Sequence, residues 1–137
     1  MSKEIAEQWL IKLADTANAK DLAAHMALIS KRISLRGVPG FETIGYADWH
    51  RQCGHEFENN ILKGVKYEGF KLVTETAKAV MFKTFETVEG TDGMVNAHGV
   101  EILLEQEDDG QWRMVEQRIM SDQDTIDEQL LPQYLQQ

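Results

Sequence analysis

Apolar residues at helical spacing dominate the first third of the chain. Ile5, Trp9, Leu13 and Ala17 recur every four residues, which predicts one apolar stripe along a helix. Asp21 then suits the N-cap of a short second helix, because its carboxylate can accept free backbone N–H groups of the first turn. The opening region is therefore predicted to contain two helices.

A short alternating segment and a third apolar stripe follow. Residues 30–36 alternate apolar with polar side chains, which predicts a strand, and the GVPG segment at 37–40 ends it. A third helix is predicted from about Tyr46 to Phe57. Its inward stripe consists of Tyr46, Trp49, His50, Cys53 and Phe57.

From Val65 onward the apolar period is two residues, which predicts strands. Gly69 interrupts the alternation and is predicted to be a bulged extra residue. Asp109-Gly110 is the strongest hairpin signal, because both central positions of a type I′ turn need positive φ. Short connections make neighbouring strands antiparallel. The four predicted strands lie near 65–75, 78–89, 94–107 and 111–120.

The turns also predict a register for these strands. Two-residue turns at 76–77 and 109–110, with a four-residue loop at 90–93, place Phe85 opposite His98 and Ile102 opposite Gln117. One face is then almost wholly apolar and is predicted to lie beneath the helices. Its polar members are Lys83, His98 and Gln117. The other face mixes apolar with charged groups and includes Phe82, Glu101, Leu103, Trp112, Met114 and Arg118.

Composition and charge narrow the class of protein. The 137 residues are one domain's length, predicted to span 1–137 with a short helical tail from about 122. A net charge of −9 disfavours nucleic-acid and membrane partners, since both present negative charge. A single cysteine cannot form an internal disulfide, and the N-terminus lacks the apolar run of a signal peptide. These features predict a cytoplasmic protein.

The order of elements predicts an α+β fold, in which three helices cover one face of a curved sheet. This order and the closing segment DGQWRMVEQRIMSD at 109–122 resemble the NTF2-like superfamily, in its SnoaL-like or ketosteroid-isomerase-like branch. The resemblance covers the chain from Ile5 to about Asp122. It implies a cystatin-like α+β cone: three N-terminal helices packed on a mainly antiparallel sheet, with a cavity between them. It also implies a homodimer joined through the outer sheet face.

The resemblance implies where an enzyme of this type would carry its chemistry. Such enzymes place an acidic residue near the end of the first strand, or paired acids and histidines deep in the cavity. Here Arg36 lies near the end of the first strand, where such an acid would stand. The predicted register puts no Asp or Glu on the helix-covered face of the four strands. The carboxylate patterns of the steroid isomerases and epoxide hydrolases are therefore not carried over, and the sequence leaves open whether the chain is an enzyme.

Polar and amphipathic residues on otherwise apolar surfaces are the candidate cavity lining. If Lys83 is desolvated there, Lys83 and His98 together suit proton transfer. The same pattern also fits a lysine whose charged end reaches solvent and a histidine that is hydrogen-bonded to protein groups. The aromatic stripe of the third helix suits a flat organic ligand and equally suits an ordinary core. The six residues predicted to surround one cavity are Trp9, Tyr46, His50, Lys83, His98 and Gln117.

Cys53 raises two further possibilities. It could be a nucleophile with His50 as its base, or an inert buried thiol. His50, Cys53 and His55 partly match metal-ligand spacing, but a helix turns His55 away from the other two and structural zinc needs four ligands. No metal and no cofactor is therefore expected.

Two classes of function remain. The first is a cavity protein that binds, or binds and transforms, a small hydrophobic compound, which His98 and Lys83 favour. The second is a non-catalytic dimeric structural or interaction module filled by its own side chains, which the lack of paired carboxylates favours. In either case the second sheet face predicts a homodimer, with a cross-strand pair between Glu101 and Arg118 at the seam.

Overall fold

The computed structural model describes residues 2–40 and 42–135, and residues 1, 41, 136 and 137 of the predicted domain lie outside the described residues. The predicted order of elements is confirmed. The first part contains α1 (Ser2–Asn18), α2 (Leu22–Met26), β1 (Ile29–Arg36) and α3 (Tyr46–Glu58). The second contains β2 (Leu62–Thr76), β3 (Ala79–Gly90), β4 (Val95–Gln106), β5 (Trp112–Ile119), α4 (Asp122–Asp127) and a 3-10 turn (Gln133–Leu135).

The strands form one mixed sheet in the order β1-β5-β4-β3-β2. β1 runs parallel to β5 and the other neighbours are antiparallel, so the sheet is mainly antiparallel, as predicted. The predicted cap of α2 also forms, because the Asp21 carboxylate accepts the Ala24 N–H at 3.1 Å. No helix in the described part of the chain has the length and apolar composition to cross a membrane.

The main core lies between α1 and one face of the sheet. Trp9 is 3% exposed, and its indole N–H donates to the Leu28 carbonyl at 3.3 Å. This face of the sheet packs against the helices, and its side chains there are fully buried. They are Val80, Phe82, Val100, Ile102, Leu104 and Met114.

The predicted register between β3 and β4 is wrong by one residue. Phe85 pairs with Gly99, and Glu86 pairs with His98. The connection is a three-residue loop at 91–93, because the Gly90 N–H donates to the Met94 carbonyl at 2.8 Å. Since side chains alternate between faces, this change exchanges every residue of β3: Phe82 and Glu86 turn toward the helices, and Lys83 and Phe85 turn outward.

The predicted pairs Glu101–Arg118 and Ile102–Gln117 between β4 and β5 are confirmed, although the predicted turn is wrong. The loop has three residues, 108–110, since the Glu107 N–H donates to the Gln111 carbonyl at 2.9 Å. A bulge at Val115 then restores the predicted pairing beyond it. Between the loop and the bulge, side chains face the opposite way from the prediction, so Met114 and Trp112 pack toward the core.

The predicted bulge at Gly69 is confirmed. The register of β2 shifts between Glu68 and Lys71, and Gly69 has a φ of +77°. The Thr84 hydroxyl donates to the Gly69 carbonyl at 2.7 Å, so the carbonyl left by the bulge is satisfied. The predicted two-residue turn at 76–77 is wrong by one residue, because Thr76 pairs with Ala79 and the turn lies at 77–78.

The C-terminal segment folds over the outer face of the sheet. α4 begins at Asp122, where the tail was predicted, and Ser121 caps it by accepting the Asp124 N–H at 3.1 Å. A side chain at Gly99 would have no space, because its Cβ would lie 2.9 Å from Thr125 Oγ1 and 3.0 Å from Leu130 Cδ1. The glycine therefore lets the tail lie directly on β4.

Candidate functional site

A pocket of about 720 Å³ lies between α1, α3 and the helix-covered face of the sheet. That volume is in the range of sites for small organic ligands. Much of its wall is apolar and includes Leu13, Leu35, Phe57, Leu62, Val65 and Ile119. The polar side chains along the wall include His25, Cys53, Tyr67, Glu86, Asn96 and Gln117.

Glu86 is held in the pocket wall by side chains from both neighbouring strands. Tyr67, Glu86 and His98 form one cross-strand row, since Glu86 pairs with Tyr67 on β2 and with His98 on β4. The Tyr67 hydroxyl donates to Glu86 Oε2 at 2.7 Å, and His98 Nε2 lies 3.1 Å from Oε1. A carboxylate accepts hydrogen bonds, so this contact assigns a proton to His98 Nε2.

The electrostatics of this row keep Tyr67 a hydrogen-bond donor. Burial raises the pKa of Tyr67 well above its ordinary value, and the charge of Glu86 acts in the same direction. Tyr67 therefore keeps its proton and donates it. The Glu86 side chain is only 12% exposed, and its two charge-assisted hydrogen bonds offset part of the cost of desolvation.

His25 on α2 is a second titratable group in the wall. It is 7% exposed, and its Nδ1 lies 2.9 Å from the Thr16 hydroxyl oxygen on α1. Its ring meets Phe57 edge to face, with 5.6 Å between centroids. Burial lowers the pKa of His25, and this outweighs the Leu13 carbonyl and the Glu86 charge, which raise it. The ring is therefore neutral near pH 7.

Cys53 lines the same pocket but is not an activated thiol. Burial raises its pKa to about 12, with a further contribution from the Glu56 charge, while a hydrogen bond from Trp49 acts in the opposite direction. His50, its candidate base, is exposed and lies in a different depression. These features favour the inert buried thiol over the nucleophile. Within residues 2–40 and 42–135, no three His, Cys, Asp or Glu side chains are grouped as metal ligands.

The six predicted lining residues do not surround one cavity. Gln117 lines the pocket, and His98 reaches it through Glu86. Tyr46 and His50 line a second depression of about 590 Å³, beside the β4–β5 loop. Trp9 belongs to the core, as described above. Lys83 lies on the outer face, with Nζ 3.0 Å from Glu128 Oε1 and 3.8 Å from Glu101 Oε2.

The predicted dimer face also changes. Phe82 and Met114 are fully buried in the core and are not available for an outer contact. Trp112 packs against the same core from a half-buried position. Glu101 and Arg118 lie on the outer face, 3.4 Å apart, as predicted, and Leu103 is the apolar candidate that remains beside them. The homodimer stays a prediction, which sedimentation equilibrium would test.

Sequence reasoning missed Glu86, Tyr67 and His25 as pocket residues. Glu86 was missed because the predicted four-residue loop at 90–93 places its side chain on the outer face of the sheet. The TDG sequence at 91–93 was the available signal, since a glycine in the last position is typical of three-residue hairpin loops. Gly93 has the positive φ of +87° that such a loop requires.

Comparison with known proteins establishes the fold. No family model and no curated protein matches the sequence. A candidate aromatic ring hydroxylase from Novosphingobium aromaticivorans is similar, with a TM-score of 0.70, 12% identity, and 86% of this chain and 87% of that chain covered. A candidate scytalone dehydratase from the same organism has a TM-score of 0.70, 10% identity, and coverage of 85% and 81%.

An NTF-2-like protein of unknown function from Shewanella oneidensis is also similar. Its TM-score is 0.69 at 16% identity, and the alignment covers 88% of this chain and 100% of that chain. The predicted resemblance is thereby confirmed for the fold: the chain has the α+β architecture of NTF2-like proteins.

Proposed function

We propose that the pocket binds a small, mostly apolar organic compound, and that Glu86 accepts a hydrogen bond or a proton from its polar group. The observation that carries the proposal is the Tyr67–Glu86–His98 row in the wall of an otherwise largely apolar pocket. Burying a carboxylate costs free energy that an apolar residue at the same place would not cost. The presence of Glu86 there therefore favours a functional role. The similarity to a candidate aromatic ring hydroxylase and a candidate scytalone dehydratase supports a ligand of this class.

The geometry suits an acceptor of fixed direction. Tyr67 and His98 each occupy one oxygen of Glu86, so the carboxylate cannot rotate without losing a hydrogen bond. Each oxygen retains a further lone pair for a ligand group. Low exposure strengthens any charge-assisted contact there, because water competes less with the ligand. The chemistry that this carboxylate supplies is therefore proton acceptance or orientation of a donor.

Binding is testable with the fluorescence of Trp49, which lines the pocket. We expect naphthalene and 1-naphthylmethylamine to change the emission of the wild-type protein, and Trp49→Phe to remove the change. The amine should bind more tightly than naphthalene, since its ammonium group can donate to Glu86. We expect Glu86→Gln to remove that preference.

The matched control is Glu89→Gln, on the same strand. Glu89 pairs with Lys63 at 3.3 Å on the surface, so this variant should keep the preference for the amine. Equal affinities of the two probes for the wild-type protein would contradict the role of Glu86. The absence of any change in Trp49 emission with either probe would contradict the binding proposal itself.

A further inference from the structure

The hydrogen bonds around Thr16 fix the tautomer of His25. The Thr16 hydroxyl oxygen lies 2.8 Å from the Lys12 carbonyl and 3.1 Å from the Leu13 carbonyl. Carbonyl oxygens only accept, so the single hydroxyl proton points toward them. Thr16 Oγ1 must then accept from His25, and the proton of the neutral imidazole lies on Nδ1.

The other ring nitrogen of His25 is left as a bare acceptor. Among the described residues Nε2 has no hydrogen-bond partner, although the whole residue is only 7% exposed. Yet no fully buried side-chain nitrogen or oxygen of those residues lacks a partner. Nε2 must therefore border open space, and the space that His25 lines is the pocket.

The surroundings of His25 keep this nitrogen unprotonated. Burial lowers the pKa of the imidazole, as described above. The titratable and charged groups that line the pocket with it are Asp48, Arg51, Cys53, Glu56, Tyr67 and Glu86. Burial raises the pKa of Cys53 and of Tyr67, so both stay neutral and neither competes for a proton near pH 7.

We propose that His25 Nε2 accepts a hydrogen bond from an O–H or N–H group of the bound compound, and that Thr16 positions the ring for this contact. The inference rests on the proposed function of the pocket and adds a second polar contact to it. The two acceptors differ in kind: Glu86 is a carboxylate, and His25 is a neutral imidazole. His25 therefore selects compounds with a neutral hydrogen-bond donor, such as a phenolic hydroxyl.

The tautomer is tested without any ligand. Two-bond proton–nitrogen correlation spectra of the labelled full chain distinguish a protonated from a bare ring nitrogen. We expect a protonated Nδ1 and a bare Nε2 for His25 at pH 7, and we expect Thr16→Val to shift the ring toward a mixture of tautomers. His55→Phe identifies the signals of an exposed histidine by their loss. A protonated Nε2 in the wild-type protein would overturn the proposal.

The contact itself is tested with 2-naphthol and 2-methoxynaphthalene, which differ in the hydroxyl proton. We expect the wild-type protein to bind 2-naphthol about twofold to tenfold more tightly, the range of one net hydrogen bond. This preference should disappear in His25→Phe and shrink in Thr16→Val, and it should persist in His55→Phe. Because His25 is buried and its replacement can disturb folding, Thr16→Val provides the second test.

The outcomes separate the two proposals. If both probes bind wild type equally, or the preference survives in His25→Phe but is lost in Glu86→Gln, then His25 is not the acceptor while the pocket still binds. If neither probe binds to the wild-type protein, both the proposed function and the proposed role of His25 are contradicted.

Discussion

Two rows of polar side chains cross β3, one on each face of the sheet. They differ in what satisfies their charges and hydrogen bonds. The inner row joins Tyr67, Glu86 and His98 across three strands. The outer row joins Lys71, Lys83, Glu101 and Arg118 across four strands. In the outer row two lysines lie directly opposite each other, which is unfavourable unless a negative charge intervenes.

The C-terminal segment provides that charge. Glu128 Oε2 lies 2.8 Å from Lys71 Nζ, and Oε1 lies 3.0 Å from Lys83 Nζ. Every member of the outer row is thus satisfied by the chain itself. The inner row instead borders an open pocket and keeps acceptor capacity. The difference between the two rows is therefore one of cover: the C-terminal segment covers the outer row, and the inner row lies beside the open pocket.

The largest expected effect concerns the packing on the two faces. Phe82 is 0% exposed beneath the helices, and Phe85 is 2% exposed on the face that the tail covers. We expect Phe82→Ala to lower the free energy of unfolding by about 3–5 kcal/mol. Phe85→Ala should cost at least about 1 kcal/mol less, because the tail can close over part of the cavity and the cost follows the residual volume.

Urea denaturation of both variants measures this difference. Equal decreases in the free energy of unfolding would show that the tail is as rigid as the helical layer. A larger loss for Phe85→Ala would contradict the proposed contrast between the two faces.

A smaller effect is expected from two tyrosine hydroxyls that make the same bond in different surroundings. Tyr67 donates to Glu86 and Tyr134 donates to Glu68, each at 2.7 Å. We expect Tyr67→Phe to cost about 1.5–3 kcal/mol, because a largely buried carboxylate loses a donor. Tyr134→Phe should cost clearly less, since water replaces the hydroxyl at an exposed site. Thermal or urea unfolding that gave the same loss for both would refute the importance of burial here.

The smallest expected effect is the acid sensitivity of the outer row. Hydrogen bonds from Lys71 and then Lys83 lower the pKa of Glu128 from 4.5 to about 2. A lowered native pKa means that this contribution to stability is present above the ordinary pKa and is lost as the pH falls toward 2. The urea midpoint of Glu128→Gln should therefore fall less steeply than that of the wild-type protein between pH 5 and pH 3. Parallel slopes for the two proteins would contradict this role of Glu128.

The sequence predicted the elements well because their signals are local. The apolar period of α1 and the capping residue Asp21 need no knowledge of distant contacts. The faces of β3 were mispredicted because they depend on the length of one loop. A difference of one residue at 91–93 exchanged Glu86 with Lys83, and with them the identity of the candidate site.

The position of His25 could not be predicted for another reason. Its place in the pocket depends on how α2 packs against α1 and Phe57, which only the tertiary structure shows. Nothing in its sequence neighbourhood distinguishes it from an exposed histidine such as His55.

The bulge at Val115 has a consequence for how chains of this fold diverge. The loop at 108–110 and the bulge each hold one residue more than a plain two-residue hairpin. A lineage that lost one codon from the loop would keep Glu107 opposite Gln111, so the pairing of the two strands and the orientation of Gln117 would not change. A lineage that lost the codon of Val115 would lose only the bulged residue, and Gln117 would again keep its place opposite Ile102. Length changes at these two places can therefore be inherited independently, and an alignment of relatives that closes either gap by sliding β5 along β4 would misplace the pocket residues of β5.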